Sequence, residues 1–319
     1  MSDTGVIDVT VAAVERMGRV LCFDLRAVSG QLPACRAGAH VDLHLGDGLI
    51  RQYSLCGDPA DRERYRLAVL LEPASRGGSR RVHEIVSPGA ILQARQPRNL
   101  FPLAVGASRS VLVGGGIGVT PLIAMAYELH AAGAPFTLHY IARDPVFADL
   151  LFRTPFAGAV RIHDRSDAAS PRFEPAAVLS AAVADGAAVA GLHVYSCGPN
   201  SLMDAVDAAA KAIGLPDDNV HREAFSALPV AGGTGFEVLA AKSSVRVSVG
   251  ENETIAAALA RVGVKVAVSC EQGICGTCVV DLLEGMPDHR DEYLTEEERS
   301  EQIALCCSRA RSPLLVVDL

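Results

Sequence analysis

Cys270-Glu271-Gln272-Gly273-Ile274-Cys275-Gly276-Thr277-Cys278 spaces three thiols as C-x4-C-x2-C. That is the plant-type [2Fe–2S] pattern, which takes a fourth cysteine further along the chain. Two irons and their bridging sulfides need four thiolates converging on one point. Gly273 and Gly276 let such a loop wrap closely and let backbone N–H groups point at sulfur. A zinc site is the alternative, but zinc knuckles pair their cysteines about two to four apart. For the fourth ligand, Leu305-Cys306-Cys307-Ser308 offers two neighbouring thiols. Read as a strand, this segment sends adjacent side chains to opposite faces, so only one can reach the cluster. The residues alone leave that choice open.

Around this run, FEVLAAKSSVRVSVGENETIAAALARVGV (236–264) reads strand, turn, strand, helix, which puts the cysteines in a small α+β module over 236–319. ALPVAGGTG (227–235) has the composition of a linker. Upstream, over 104–226, strands such as SVLVGGG, FTLHYIA and GLHVYSCG alternate with helical stretches such as PLIAMAYELHAAG and SLMDAVDAAAKAIG. This order predicts an α/β domain with a parallel sheet and helices on both faces. Thr120 is expected to cap the first of these helices, with Pro121 in its first turn and Gly133 past its end. Over 1–103 the pattern is short alternating strands between Gly and Pro turns, which predicts an antiparallel β-barrel. The chain therefore reads as multidomain, with three modules.

Two glycine turns in the middle module carry chemistry. Gly114 to Pro121, GGGIGVTP, lies between a strand and a helix, and its glycines Gly115, Gly116 and Gly118 permit close approach of a dinucleotide. Tyr195 to Pro199, YSCGP, ends another strand of the same sheet, so Cys197, Gly198 and Pro199 should share its ligand-binding edge with Thr120 and Pro121. In the first module, Arg51-Gln52-Tyr53-Ser54-Leu55 offers a guanidinium, an aromatic face and a hydroxyl to a planar anionic ligand. Arg76-Gly77-Gly78-Ser79 offers backbone N–H groups and a hydroxyl to phosphate. Alone, each first-module string is an ordinary strand or loop; beside a nucleotide-binding and an iron–sulfur module they read as a flavin site.

Composition excludes other classes. The 319 residues carry 29 Lys and Arg against 37 Asp and Glu, a net charge of −8, which disfavours nucleic-acid binding. No apolar run approaches the roughly 18 residues of a membrane span, and the first residues do not read as a signal peptide. A cytoplasmic location is expected, where nine cysteines point to metal or redox chemistry and not to a disulfide framework. Cys22, Cys35 and Cys56 read as small buried hydrophobes. His40, His44, His83, His130 and His139 read as structural or solvated, and His289 as a surface hydrogen-bonding group. The stretch 281–301 holds nine acidic residues against two arginines, which suits electrostatic docking of a redox partner.

RQYSL, RGGS, GGIGVTP, YSCGP, CEQGICGTC and LEGMPDHRDEYLTEEE with CCSRA together resemble the phthalate dioxygenase reductase family over essentially the whole chain. The family's members are reductase components of Rieske-type oxygenases. The resemblance implies FMN as the flavin, with the Gly-Gly-Ser loop on its phosphate, and a place for Phe225 near flavin and nicotinamide. It also implies Cys270, Cys275, Cys278 and Cys306 as cluster ligands, because the family's ligating cysteine stands one residue before Ser-Arg. Ser54 is expected near the reactive flavin nitrogen, and Thr120 and Cys197 beside the nicotinamide. NADH is the expected donor, with Asp144 set against a 2′-phosphate and Arg143 able to serve either cofactor. The expected activity is electron transfer from NADH through FMN and [2Fe–2S] to a terminal oxygenase, by a monomer. A haem monooxygenase as acceptor, or a non-enzymatic redox carrier, are the competing readings.

Overall fold

A computed structural model describes residues 5–46, 49–73, 77–184, 188–225, 232–268, 271–273, 276–291 and 293–319. Arg76, Cys270, Cys275 and linker positions 227–231 lie outside the described residues. The chain divides into two compact units, Met1–Gly48 with Gln52–Phe225, and Leu49–Arg51 with Ser226–Leu319.

The chain begins with β1 (Val6–Met17), β2 (Val20–Ala27), β3 (Ala39–His44), β4 (Ile50–Ser54, of which Gln52–Ser54 fall in the first unit), β5 (Tyr65–Leu70), α1 (Gly78–Ile85), β6 (Ile91–Arg95) and β7 (Arg98–Asn99). The sheet runs β4-β3-β6-β1-β2-β5, with β7 on β3, and its registers are antiparallel. Just past β4, Leu55 N–H donates to Ala39 O at 2.9 Å and Cys56 N–H to Arg66 O at 2.9 Å, joining the two end strands as a barrel requires. Alternation explains the inside: Val41 and Leu43 are fully buried, and so are Leu25 and Leu67 on facing strands.

The unit continues through β8 (Arg109–Gly115), α2 (Val119–Ala131), β9 (Phe136–Ala142), α3 (Ala148–Phe152), β10 (Val160–Asp164), α4 (Pro175–Ala184), β11 (Leu192–Cys197), α5 (Asn200–Ala212) and β12 (Val220–Glu223). The sheet order is β10-β9-β8-β11-β12, and every pairing is parallel. Its strands are apolar on both faces because both are covered. Leu112, Leu138 and Tyr195 face one core with Leu122 and Met125 of α2, while Val111, Val113 and Val194 face another with Leu179 of α4 and Val206 of α5. The first of these cores also takes in Cys22, Ala37, Cys56 and Phe101 of the barrel. That shared core is why barrel and sheet form one unit. Hydrogen bonds reinforce the seam: Glu128 accepts from Arg36 and from Ala37 N–H at 2.9 Å, and Tyr195 Oη accepts from Ala104 N–H at 2.8 Å.

The helix α2 corrects one expectation. Its first residue is Val119 and its N-cap is Gly118, which has no side chain to accept from the first-turn N–H groups. Thr120 sits inside the first turn, and its hydroxyl donates back to Ile117 O at 2.9 Å. The 3-10 turn Gly116–Gly118 starts the helix early, so the hydroxyl is turned into the loop and cannot cap. Pro121 and Gly133 stand as expected, Gly133 at φ +64° beyond the end.

The second unit holds β13 (Phe236–Ala240), β14 (Val245–Val249), α6 (Ile255–Arg261), β15 (Val279–Glu284), β16 (Pro287–Asp288), β17 (Gln302–Ala304), β18 (Arg309–Ala310) and β19 (Leu314–Val317). Five strands form one sheet, β14-β13-β19-β15-β17, and β16 pairs with β18. Thr254 caps α6, accepting from Ala257 N–H at 3.1 Å. Ile255, Ala258 and Leu259 of that helix close a core against Val238, Val247, Leu315 and the thiols of Cys278, Cys306 and Cys307. Among the described residues no helix is long and apolar enough to cross a membrane.

Candidate functional site

The carboxyl edge of the parallel sheet brings the two glycine turns together. β8 and β11 are neighbours, with Cys197 opposite Gly114. A Cβ on Gly118 would stand 2.5 Å from Cys197 O, one on Gly115 2.7 Å from Pro199 Cδ, and one on Gly198 2.8 Å from Gly115 Cα. The two loops touch backbone to backbone, and only glycine allows it. Gly116 differs: at φ +55° a Cβ would meet nothing within 4 Å, so its outer face is open. A close-packed pair of loops at a helix start, open on one side, fits a dinucleotide pyrophosphate. Thr120 and Cys197 lie buried beneath this edge, Gly198 is partly buried, and Pro199 is exposed.

The barrel reaches the same edge through Ser54. Its hydroxyl donates to Glu223 Oε2 at 3.4 Å, and Glu223, the last residue of β12, pairs in register with Cys197. Burial pushes the Cys197 thiol well above its ordinary range, and the Glu223 carboxylate adds to the effect. The thiol is therefore held protonated. Ser54, Cys197 and Glu223 thus form one node between flavin strand and nucleotide sheet. Glu223 was not singled out from the sequence, although it lies in REAF beside Phe225. Phe225 is 38% exposed just past the strand.

On β4, Arg51 donates to Ile50 O at 2.8 Å, Gln52 Nε2 lies 3.2 Å from His40 Nε2, Tyr53 is half-buried and Leu55 buried. Gly77, at φ +87°, is the N-cap of α1, whose first turn holds no acidic residue and no side-chain cap. Space around Gly77 is open, with nothing within 4 Å of a Cβ built there. A helix start at Gly78 and Ser79 with no acidic residue in its first turn, followed by Arg80 and Arg81, suits a phosphate. The Ser79 hydroxyl accepts from Glu72 N–H at 3.1 Å. Arg143 and Asp144 are both exposed after β9. A Cβ on Gly18 of the β1–β2 turn would lie 3.9 Å from Asp144 Oδ2, so this carboxylate borders the barrel hairpin.

In the second unit, Cys278 and Cys306 are each 3% exposed, and Leu305 N–H donates to Cys278 O at 3.2 Å. The glycines of the cysteine loop are set by close packing. At Gly273, φ +76°, a Cβ would stand 2.7 Å from Cys307 Sγ and 2.9 Å from Asp291 Cα; at Gly276, φ +66°, it would enter the Tyr293 ring. Buried thiols and a loop cradled at both glycines fit a [2Fe–2S] cluster. The expected strand at Cys306 and Cys307 is absent: Leu305–Cys307 form a turn after β17, closed by Ser308 N–H donating to Ala304 O at 3.1 Å. Strand alternation therefore does not separate the two thiols, and both are buried. The Cys307 thiol is pushed up by its hydrogen bond with Cys306 and by burial.

Residues 239–311 match the 2Fe-2S iron-sulfur cluster binding domain family. The whole chain is similar to the vanillate O-demethylase oxidoreductase of a Pseudomonas species, 43% identical over 98% of this chain and 100% of that protein. Among solved structures, phthalate dioxygenase reductase, described as modular and transferring electrons from pyridine nucleotides to [2Fe–2S], is 35% identical with TM-score 0.71 over 99% of this chain and 98% of its own. An intact type IV self-sufficient cytochrome P450 monooxygenase is 38% identical with TM-score 0.81 over 98% of this chain, which spans only 41% of that protein. With its flavin-type antiparallel domain, parallel nucleotide-binding sheet and C-terminal ferredoxin domain in that order, the chain belongs to the phthalate dioxygenase reductase family.

Proposed function

We propose that this chain is the NADH-dependent reductase of a Rieske-type terminal oxygenase, with FMN and one [2Fe–2S] cluster. The observation that carries the reading is the node at the seam of the first unit, where Ser54 of the flavin strand meets Glu223 beside Cys197 and the Gly115–Gly198 contact. When bound, nicotinamide supplies two electrons as hydride, flavin converts them to single electrons, and the cluster carries one at a time. The chain's own residues bind and orient. Gly115, Gly116, Gly118, Gly198 and Pro199 hold the pyrophosphate; Thr120 and the neutral Cys197 thiol line the nicotinamide side. Arg51, Gln52, Tyr53, Ser54 and Leu55 hold the flavin ring, Arg76, Gly77, Gly78 and Ser79 its phosphate, and Phe225 flanks the ring. Cys270, Cys275, Cys278 and Cys306 hold the cluster.

The proposed domains are 1–103, 104–226 and 236–319, with 227–235 as linker, in a cytoplasmic monomer. The acidic surface over 281–301, with Asp281, Glu284, Glu296, Glu297 and Glu301 exposed, suits a partner with a basic docking face. Likeness to the P450 chain supports a second reading, in which a haem monooxygenase is the acceptor. The test is a Cys275→Ser variant assayed anaerobically with NADH, then with cytochrome c, a Rieske-type oxygenase and a P450. Flavin reduction should persist while transfer to the one-electron acceptors falls sharply. Parent-rate transfer to the oxygenase would remove the cluster from the path.

A further inference from the structure

The run 281–301 is acidic, with Asp281, Glu284, Glu296, Glu297 and Glu301 exposed, but Asp291 is buried. Asp291 has a side chain 0% exposed. Its Oδ2 accepts from Leu294 N–H at 2.9 Å and its Oδ1 from the Ser308 hydroxyl at 3.3 Å. Both partners are donors, the acceptor-only pattern of an ionised carboxylate. The cationic Arg299 beside it donates to Asp291 O at 2.7 Å and to Glu296 Oε1 at 3.3 Å, and makes no bond to the Asp291 carboxylate among the described residues. His289 lies 3.5 Å away at Nδ1, but its Nε2 sits 3.0 Å from Arg299 O. A carbonyl can only accept, so Nε2 is the ring nitrogen that donates to it.

The position of this group is more telling than its burial. Asp291 touches both chain segments that carry the proposed cluster ligands. Its Cα and Cβ lie 2.9 and 3.1 Å from where a Cβ of Gly273 would stand, in the Cys270–Cys278 loop. Its Oδ1 is bonded to Ser308, two residues after Cys306. Burying a carboxylate is costly unless it is compensated, and breaking its contacts is costlier still. A clamp alone does not need the charge. A fixed negative charge beside a cluster disfavours adding an electron, so it lowers the reduction potential.

We infer that Asp291 is a positioning and tuning residue for the iron–sulfur centre: it ties the cysteine loop to the Cys306 turn through Ser308 and sets the centre as a low-potential donor. This rests on the reading of the cysteine loop as a [2Fe–2S] site. That reading is tested separately, by iron content and the visible and EPR spectra of the parent protein. The inference is tested by the midpoint potential of Asp291→Asn in the holoprotein, measured by potentiometry with EPR detection. The cluster midpoint should rise by about tenfold in equilibrium constant, about 59 mV for a one-electron couple, while the flavin midpoint stays. An intact cluster with an unchanged midpoint would reduce Asp291 to a clamp and overturn the proposal. Should Asp291→Asn fail to retain the cluster, Ser308→Ala decides. It removes a donor that screens the carboxylate, so the midpoint should fall. A midpoint that rises or stays there refutes the charge as its cause.

Discussion

Gly118→Ala puts a methyl group between the two nucleotide loops. The new Cβ would stand 2.5 Å from Cys197 O, 2.6 Å from Cys197 C and 2.7 Å from Gly198 N. All three are backbone atoms, so no rotamer change relieves the clash. Ordinary contact begins near about 3.4 Å, and the loops must part by roughly 0.9 Å. Gly118 sits at φ −65°, open to any residue, so the cost is steric and not conformational. Overpacking of this kind costs about 1–3 kcal/mol, a loss of about 2–4 °C in melting temperature per kcal/mol for a unit this size. The unit still folds. Function suffers more, because a misplacement near 1 Å in a reacting site costs on the order of 100-fold. Anaerobic stopped-flow bleaching of the flavin by NADH should slow about 10- to 100-fold. Gly116→Ala is the control: its Cβ meets nothing within 4 Å at φ +55°, so it strains the backbone by about 1–2 kcal/mol without parting the loops and slows the reaction less. Parent kinetics in Gly118→Ala would refute the claim that this loop contact positions the nucleotide.

Cys306→Ser should abolish or strongly destabilise the cluster spectrum, while Cys307→Ser should retain it; loss in the Cys307 variant alone would move the ligand by one position. Burial brings His40 and His139 each down to about 4. Between about 4 and 6.5 the unfolded chain binds more protons than the folded one, so stability falls as pH drops through that window, by on the order of 1–3 kcal/mol per ring. Urea midpoints at several pH values check this, and His40→Asn should flatten the slope; an equal slope would assign the acid loss elsewhere. Denaturation should release FMN, and FAD in its place would overturn the flavin assignment. NADH should be preferred, and equal rates with NADPH at low concentration would sink that preference.

What the sequence determined by itself is what local chemistry encodes. Cysteine spacing, glycine turns at strand ends, and periods of two and 3.6 name the cluster loop, the nucleotide loops, and the order of barrel, parallel sheet and ferredoxin. Even the need for Gly273 and Gly276 was legible, though not what presses against them. The tertiary structure decided the pairings between distant residues. Ser54 and Glu223 are 169 positions apart, and no period or spacing links them; only docking of barrel on sheet does. In the sequence Asp291 is one acid in a run suited to docking a partner, and the turn after β17 brings Ser308 onto it. Thr120 had the composition of a cap, but an early 3-10 turn moved the helix start past it. Cys306 and Cys307 were read as strand residues, and a turn removed the alternation that would have told them apart. In each case the deciding force is a contact made across the fold, where packing overrides local preference.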